Sequence, residues 1–131
     1  MSARILIVED HADSLEILSI QLKFLGYEVI EANTGEEGIQ KAHHHLPEVI
    51  IMDIGLPGIS GIEATQRLKQ SSRTAHIPVI AHTAWGDTLK SEGETAGISE
   101  FLTKPTPPRQ FQAVIEKYLK LRNNYSCPLS F

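Results

Sequence analysis

Five short apolar segments recur along this chain, and the way they alternate with helix-like segments restricts the possible folds more than any other feature. Each apolar segment has the length of a strand, and segments with helix start and stop signals separate them. The predicted strands are residues 5–8, 27–32, 49–52, 79–82 and 99–103. Strict alternation predicts an α/β fold, a doubly wound parallel sheet with right-handed crossovers.

Local signals mark the ends of several predicted helices. The segment 13–25 has leucines at helical spacing on one face, and Gly26 is suited to cap its end. Residues 34–37 read Thr-Gly-Glu-Glu, a capping box that opens the second helix. A Pro-Pro pair opens the last helix, which is predicted to end near Leu121.

Length and composition indicate one globular domain. The chain has 131 residues, of which 41% are hydrophobic and 21% charged, and we assign residues 1–122 to the domain and residues 123–131 to a flexible tail. A net charge of −4 argues against direct binding to nucleic acid. No signal peptide or membrane-length apolar run is present, and the single cysteine, Cys127, excludes an internal disulfide. Together these features predict a cytoplasmic protein.

Chemically capable side chains follow four of the five predicted strands. Glu9 and Asp10 follow the first, Asp53 the third, Thr83 the fourth and Lys104 the fifth. The carboxyl ends of parallel strands lie at one edge of the sheet, where open α/β sheets bind their ligands. Asp53 alone fits an ordinary turn equally well. The expected convergence of the other four groups favours a functional site.

This set of groups suits phosphoryl chemistry. Three carboxylates at close range repel one another, and a hard divalent cation such as Mg²⁺ removes that repulsion. Mg²⁺ and a lysine ammonium can neutralise a phosphoryl group, and a threonine hydroxyl can donate to one of its oxygens. Carboxylates are known covalent nucleophiles that form aspartyl phosphates. Asp53, which is followed by a glycine-rich loop, is the candidate nucleophile.

Four motifs, in their order along the chain, resemble the receiver domain of bacterial two-component response regulators, in particular single-domain, chemotaxis-type regulators. The resemblance covers about residues 4–121. The motifs are Ile-Leu-Ile-Val-Glu-Asp, Met-Asp-Ile-Gly-Leu-Pro-Gly-Ile-Ser-Gly, His-Thr-Ala and Phe-Leu-Thr-Lys-Pro. The resemblance implies a flavodoxin-like (βα)5 fold with strand order 2-1-3-4-5, whose topological switch point lies between strands one and three.

The resemblance also implies roles for the residues at the strand ends. Asp53 would accept the phosphoryl group from a phosphohistidine. Asp10 and Asp53 would bind Mg²⁺, or Mn²⁺, directly, with the backbone carbonyl of Gly55 as a further ligand. Glu9 would act mainly through a metal-bound water, and Lys104 would pair with the phosphoryl group. The Lys104–Pro105 peptide bond would be cis, which costs little for proline.

Four residues would respond to phosphorylation or set its lifetime. Thr83 would turn toward the phosphoryl group, and Phe101 would rotate inward behind Thr83. Gly55 and Trp85 lie two residues after Asp53 and Thr83, at positions that tune the lifetime of the aspartyl phosphate in the family. We expect Trp85 to shield the phosphoryl group from water and Gly55 to leave it open.

The predicted function is that of a signalling switch, which catalyses only its own phosphorylation and dephosphorylation at Asp53. The expected partners are a histidine kinase or histidine phosphotransfer protein and a downstream protein target, with no nucleic acid or membrane. The protein itself would be a monomer or a weak phosphorylation-dependent dimer. An apolar stripe on the first helix, formed by Ile17, Ile20 and Phe24, indicates either a deeply buried helix or a docking patch for a helical-bundle phosphodonor.

Several alternatives stay open at this point. The chain could be a receiver segment of a hybrid histidine kinase, although its start at Met1 and its tail favour a free-standing protein. A phosphatase with an aspartyl nucleophile usually needs a second acid where Gly55 lies. A flavin or nucleotide module would need a glycine-rich loop after the first strand, where Glu9 and Asp10 would repel phosphate. The run His43–His45 fits a solvated helix end better than a metal site.

Overall fold

A five-stranded parallel sheet forms the centre of the structure, a computed structural model that describes residues 3–84 and 90–126, with side chains up to residue 121. The strands pair in the order β2-β1-β3-β4-β5, and every pair is parallel. This confirms the predicted fold class and strand order. The strands are β1 (Arg4–Val8), β2 (Glu28–Ala32), β3 (Val49–Met52), β4 (Val79–Thr83) and β5 (Glu100–Thr103).

One helix follows each strand. The helices are α1 (Ala12–Phe24), α2 (Gly35–His45), α3 (Gly61–Gln70), α4 (Lys90–Ala96) and α5 (Pro108–Ser126). Gly26, just after α1, has a positive φ of 98°, as a helix cap requires. At the start of α2, the Thr34 hydroxyl accepts from the Glu37 backbone N–H at 3.0 Å, while the Glu37 carboxylate accepts from the N–H of Asn33 rather than Thr34. The capping box therefore forms with its return bond shifted by one residue.

Alternate residues of the strands build two separate cores. Leu6 and Val8 of β1 pack with β3, α2 and α3 on one face, while Ile5 and Ile7 pack with α1 and α5 on the other. All four residues of β3 are buried. A strand that is buried on both faces reads as a continuous apolar run, which explains why β1 and β3 show no alternation of apolar and polar residues. Glu9 and Asp53 therefore follow directly after the buried strands β1 and β3.

The last helix is longer than predicted. α5 continues to Ser126, beyond the expected end near Leu121, since no glycine or proline interrupts the sequence before Pro128. The domain boundary at residue 122 and the flexible tail stay predictions. Among the helices that the structure describes, none is both long and apolar enough to cross a membrane.

Candidate functional site

Backbone hydrogen bonds align the strand ends that carry the predicted site residues. The Asp53 N–H donates to the Val8 carbonyl at 3.0 Å, so the residue after β3 lies beside the last residue of β1. The Lys104 N–H donates to the Thr83 carbonyl at 2.8 Å, which joins the ends of β4 and β5 in the same way. The sheet thus brings four distant segments of the chain to one edge.

Three carboxylates meet at this edge. Glu9, Asp10 and Asp53 each offer an oxygen, and these atoms all lie within 4.8 Å of one another. Glu9 is 3% exposed and Asp53 is 8% exposed, whereas Asp10 is open to solvent. A cluster of carboxylate oxygens with one solvent-facing side fits a hard divalent cation that keeps some of its waters. The donor set therefore suits Mg²⁺ or Mn²⁺.

Lys104 lies between two of these acids. Its ammonium nitrogen is 2.7 Å from Oε1 of Glu9 and 3.4 Å from Oδ2 of Asp53. Burial lowers the pKa of Lys104, but the hydrogen bond to Glu9 and the charges of both acids outweigh this and raise it. The side chain therefore stays a cation, and Glu9, rather than Asp53, is its closer partner.

Glu9 is the most buried acid of the cluster. Desolvation raises its pKa, as does the neighbouring Asp53, and the pairing with Lys104 only partly opposes these effects. Its other oxygen, Oε2, accepts from the His11 N–H at 3.3 Å. Without a bound metal ion, the cluster thus holds more negative charge than Lys104 alone neutralises.

The loop after Asp53 holds the candidate nucleophile in place. The Gly55 N–H donates to Oδ1 of Asp53 at 3.1 Å, while Oδ2 is the oxygen that faces Lys104. Gly55 is exposed, which is consistent with an open approach to Asp53. The role of the Gly55 carbonyl as a metal ligand stays a prediction. Trp85 lies among residues 85–89, outside the described part of the chain, so its shielding role also stays a prediction.

Gly61, the last residue of the motif that begins at Met52, supports the site, although the motif alone indicates no such role. A Cβ atom at this position would overlap the carbonyl oxygen of Asp53 and lie 2.8 Å from the Cα of Ile54. Only glycine lets α3 begin this close to the backbone of the candidate nucleophile. The Gly61 N–H donates to the Ile54 carbonyl at 3.1 Å and closes the loop. A glycine at the end of the loop after Asp53 was the available signal, but the sequence does not show the close approach.

The two predicted switch residues lie on one face of the sheet. Phe101 pairs with Ala81 in the β4–β5 register, and Thr83 lies two residues further along β4. Because side chains alternate along a strand, Ala81, Thr83 and Phe101 share a face. Thr83 is buried and Phe101 is half-buried against the core. Their movement on phosphorylation stays a prediction, whereas the expected cis bond between Lys104 and Pro105 is confirmed.

His82 lies on the opposite face, against α5. Its ring meets Phe111 edge to face with centroids 4.7 Å apart. Its Nε2 atom is buried without a hydrogen-bond partner in the described part of the structure. Burial, reinforced by the positive charge of Lys104, lowers the pKa of His82 from 6.5 to about 4.

His82 is expected to make the fold sensitive to mild acid. Above pH 6.5, His82 is neutral in both the folded and the unfolded chain. Between pH 6.5 and 4, only the unfolded chain takes up the proton, so the free energy of unfolding decreases as the pH falls. His82→Phe should remove about 2 kcal/mol of this loss, after discounting for the partly exposed ring. Urea unfolding of the wild type and His82→Phe at pH 7.5 and pH 4.5 measures this loss of stability. If both proteins lose the same free energy of unfolding between the two pH values, protonation of His82 is not the cause.

The apolar stripe of α1 faces solvent. Ile17, Ile20 and Phe24 are 57%, 59% and 88% exposed, so the interpretation as a deeply buried helix is wrong. The opposite face, with Leu18 and Leu22, packs in the core.

Among the described residues, the three carboxylates are the one cluster with the spacing of metal ligands, and His43–His45 are not part of it.

Comparison with known proteins agrees with this geometry. A family model for the response regulator receiver domain matches residues 5–116. The phosphate regulon transcriptional regulatory protein PhoB of Pseudomonas aeruginosa is 39% identical over 121 residues, which cover 88% of this chain and 51% of PhoB. The polar-differentiation response regulator DivK of Brucella ovis is 35% identical over 122 residues, which cover 91% of this chain and 98% of DivK.

A solved structure is also similar in fold. It is the receiver domain of the sensor histidine kinase PA1611 from Pseudomonas aeruginosa PAO1, with a magnesium ion in its active site cleft. Its TM-score is 0.84 at 27% identity, with 92% of this chain and 99% of that one covered. The family match spans most of the chain, and the sheet order and acid cluster are those that the motifs predict. The chain therefore belongs to the response regulator receiver domain family.

Proposed function

We propose that this receiver domain accepts a phosphoryl group on Asp53 from the phosphohistidine of a histidine kinase or a histidine phosphotransfer protein, and that the modification switches a protein-interaction surface. The observation that carries the proposal is the convergence of Glu9, Asp10, Asp53 and the Lys104 ammonium at one edge of the sheet. A cytoplasmic location, expected from the sequence, is part of the proposal.

In the proposed transfer, a carboxylate oxygen of Asp53 attacks the phosphorus atom. The new P–O bond forms as the P–N bond to the donor imidazole breaks, and the imidazole nitrogen keeps the electron pair. Lys104 is 3.4 Å from Oδ2 of Asp53, close enough to neutralise charge on a phosphoryl group attached there. The Gly55 N–H keeps the other oxygen, Oδ1, oriented.

Glu9, Asp10 and Asp53 would hold the divalent cation. The carboxylate oxygens within 4.8 Å of one another support this, as does the magnesium ion in the PA1611 receiver. When bound, Mg²⁺ supplies positive charge that offsets both the repulsion among the acids and the charge of the phosphoryl oxygens. Glu9 is already paired with Lys104, which is consistent with an indirect role through water.

The switch would couple Thr83 and Phe101 to the surface formed by α4, β5 and α5. Moving a two-state equilibrium from 1:99 to 99:1 takes about 5.5 kcal/mol of differential stabilisation. Contacts of one phosphoryl group with the cation, Lys104 and Thr83 are strong, charge-assisted interactions of the kind that can supply it. The protein would therefore act as a signalling switch whose only chemistry is its own modification.

The exposed stripe of α1 would form part of the docking surface for the phosphodonor. α1 begins two residues after Asp10, so a helical bundle that presents its phosphohistidine to Asp53 would cover Ile17 and Ile20. Exposed apolar side chains grouped on one helix face are typical of such interaction sites. A helix-in-groove or helix-on-helix contact would bury them.

Ile20→Glu is therefore expected to slow phosphotransfer from a protein donor about tenfold or more, because a charge at the centre of an apolar contact must be desolvated. Phosphorylation by acetyl phosphate should be unchanged. Leu121→Glu is the matched control, since Leu121 is also an exposed apolar residue but lies near the far end of α5. Radiolabel transfer assays with both donors separate the two effects. Equal slowing with both donors would rule out docking through Ile20.

A direct experiment tests the proposed function. The purified protein is incubated with acetyl phosphate and Mg²⁺, and its intact mass is measured with and without EDTA. We expect one phosphoryl group per chain with Mg²⁺ and little or none with EDTA. Absence of any adduct under conditions that phosphorylate a known receiver would reject the proposal.

The likeness to PA1611 keeps a second setting open, that of a receiver within a sensor histidine kinase. The chemistry at Asp53 would be the same, but the donor would belong to the same polypeptide or to a relay partner. Profiling of phosphotransfer against purified donors distinguishes these settings by the rate at which each donor is used.

A further inference from the structure

Gly93 of α4 lies directly against the ring of Phe101. A Cβ atom at position 93 would lie 2.5 Å from Cζ and 2.9 Å from Cε2 of that ring, and 3.0 Å from Cδ1 of Ile98. Real Cβ atoms do not approach other atoms this closely. The ring of Phe101 therefore occupies the space that any side chain at position 93 would need.

Nothing in the backbone of α4 requires glycine at this position. Gly93 lies inside the helix without a positive φ, and its carbonyl accepts from the N–H groups of Gly97 at 3.1 Å and Ile98 at 2.9 Å, which fixes the helix end. Glycine is a weaker helix former than alanine. Its presence is therefore explained by the contact with Phe101 and not by the conformation of the helix.

We propose that Gly93 is a positioning residue for the phosphorylation switch: its missing side chain forms a seat that holds the Phe101 ring against α4. The inference rests on the proposed function of Asp53. Phe101 shares a face with Thr83, so the seat connects the edge that carries the phosphoryl group with a helix of the proposed output surface. Position 93 thereby sets how readily the ring adopts this position against α4.

A side chain at position 93 should push the ring out and leave α4 in place. The overlapping atoms belong to the far edge of a ring that can rotate about its χ1 angle, whereas α4 is fixed by the hydrogen bonds at its end and by the buried Ala96. Thermodynamic linkage makes this effect reciprocal. If the phosphoryl group favours the seated ring, a variant in which the ring is displaced must bind the phosphoryl group less tightly.

A double-mutant cycle tests this coupling. Wild type, Gly93→Ala, Phe101→Ala and the double variant are titrated with beryllofluoride and Mg²⁺ by calorimetry, since beryllofluoride mimics the phosphoryl group. Gly93→Ala should weaken binding about tenfold when Phe101 is present, within the usual range of allosteric coupling, and less than twofold in the Phe101→Ala background. Ser91→Ala, an exposed position of the same helix, should leave binding unchanged.

Thermal unfolding gives a second readout. Gly93→Ala should lower Tm when Phe101 is present and raise it in the Phe101→Ala background, where the better helix propensity outweighs the one tight contact that remains, with the flexible end of Ile98. If Gly93→Ala fails to fold, rescue by Phe101→Ala supports the seat and lack of rescue overturns it. Equal beryllofluoride affinity of wild type and Gly93→Ala, or the same loss in both backgrounds, also overturns it. A wild type that binds no beryllofluoride would instead count against the proposed function of Asp53.

Discussion

The Asp53→Asn variant is expected to take up no phosphoryl group and yet to be more stable than the wild type in metal-free buffer. An amide is not a nucleophile for phosphoryl transfer, so the loss of modification should be complete. Asp53 shares its edge of the sheet with Glu9 and Asp10, and among the side chains that the structure describes Lys104 is the cation paired with this cluster. Removing one of these charges should raise the free energy of unfolding by about 1 kcal/mol.

Urea unfolding of the wild type and Asp53→Asn, with and without Mg²⁺, measures this difference in the free energy of unfolding. The cation should stabilise the wild type by mass action and stabilise Asp53→Asn much less, because one ligand charge is gone. Glu63→Gln is the matched control, since it makes the same carboxylate-to-amide change on α3, outside the acid cluster. Lower stability of Asp53→Asn in metal-free buffer would show that the repulsion is not the dominant effect.

The Lys104→Met variant is expected to lose both reactivity and stability. Phosphorylation by acetyl phosphate should slow about 100-fold, as when one charged donor is removed from a site that stabilises developing charge. The buried Glu9 would lose its partner at 2.7 Å. Removing one member of a buried ion pair costs about 3–5 kcal/mol, and the partial exposure of Lys104 reduces the expected loss to about 1–3 kcal/mol.

The loss of reactivity and the loss of stability can be measured separately. Phosphorylation rates and urea midpoints are compared among wild type, Lys104→Met and Lys104→Arg. Lys104→Arg keeps the charge but replaces a compact ammonium by a planar guanidinium, so it should retain most of the stability and little of the rate. Mg²⁺ should restore part of the stability of Lys104→Met, since it neutralises the same acids. A Lys104→Met protein with wild-type phosphorylation rate would exclude the role of the ammonium in transfer.

The sequence predicts the sheet and its functional edge for clear physical reasons. The runs 5–8 and 49–52 are buried on both faces, so they appear as uninterrupted apolar segments, and the residues after them must lie at the carboxyl edge. The convergence of Asp53, Thr83 and Lys104 then follows from topology, without any knowledge of side-chain positions.

What the sequence does not reveal depends on packing at the level of single atoms. Whether Lys104 pairs more closely with Glu9 or with Asp53 is decided by side-chain rotamers. The need for glycine at positions 61 and 93 arises from close approaches between segments distant in sequence or on different elements. These contacts leave no periodic signal.

The first helix shows a further limit of periodicity. Both of its faces carry apolar residues, and spacing alone does not tell which face the sheet covers. The structure buries the face with Leu18 and Leu22 and exposes the face with Ile17 and Ile20. An apolar exposed face is the property expected of a docking helix. Such a face removes the contrast between apolar and polar sides that identifies an amphipathic helix.

Chemical mapping identifies the residue that carries the phosphoryl group. The protein is phosphorylated with acetyl phosphate and Mg²⁺ and reduced with borohydride, which converts an aspartyl phosphate to homoserine, and the position of the change is read by peptide mass spectrometry. We predict homoserine at position 53 and no other modification, with none in Asp53→Asn. A phosphoryl group on another residue, or an unchanged adduct in Asp53→Asn, would show that Asp53 is not the phosphoacceptor.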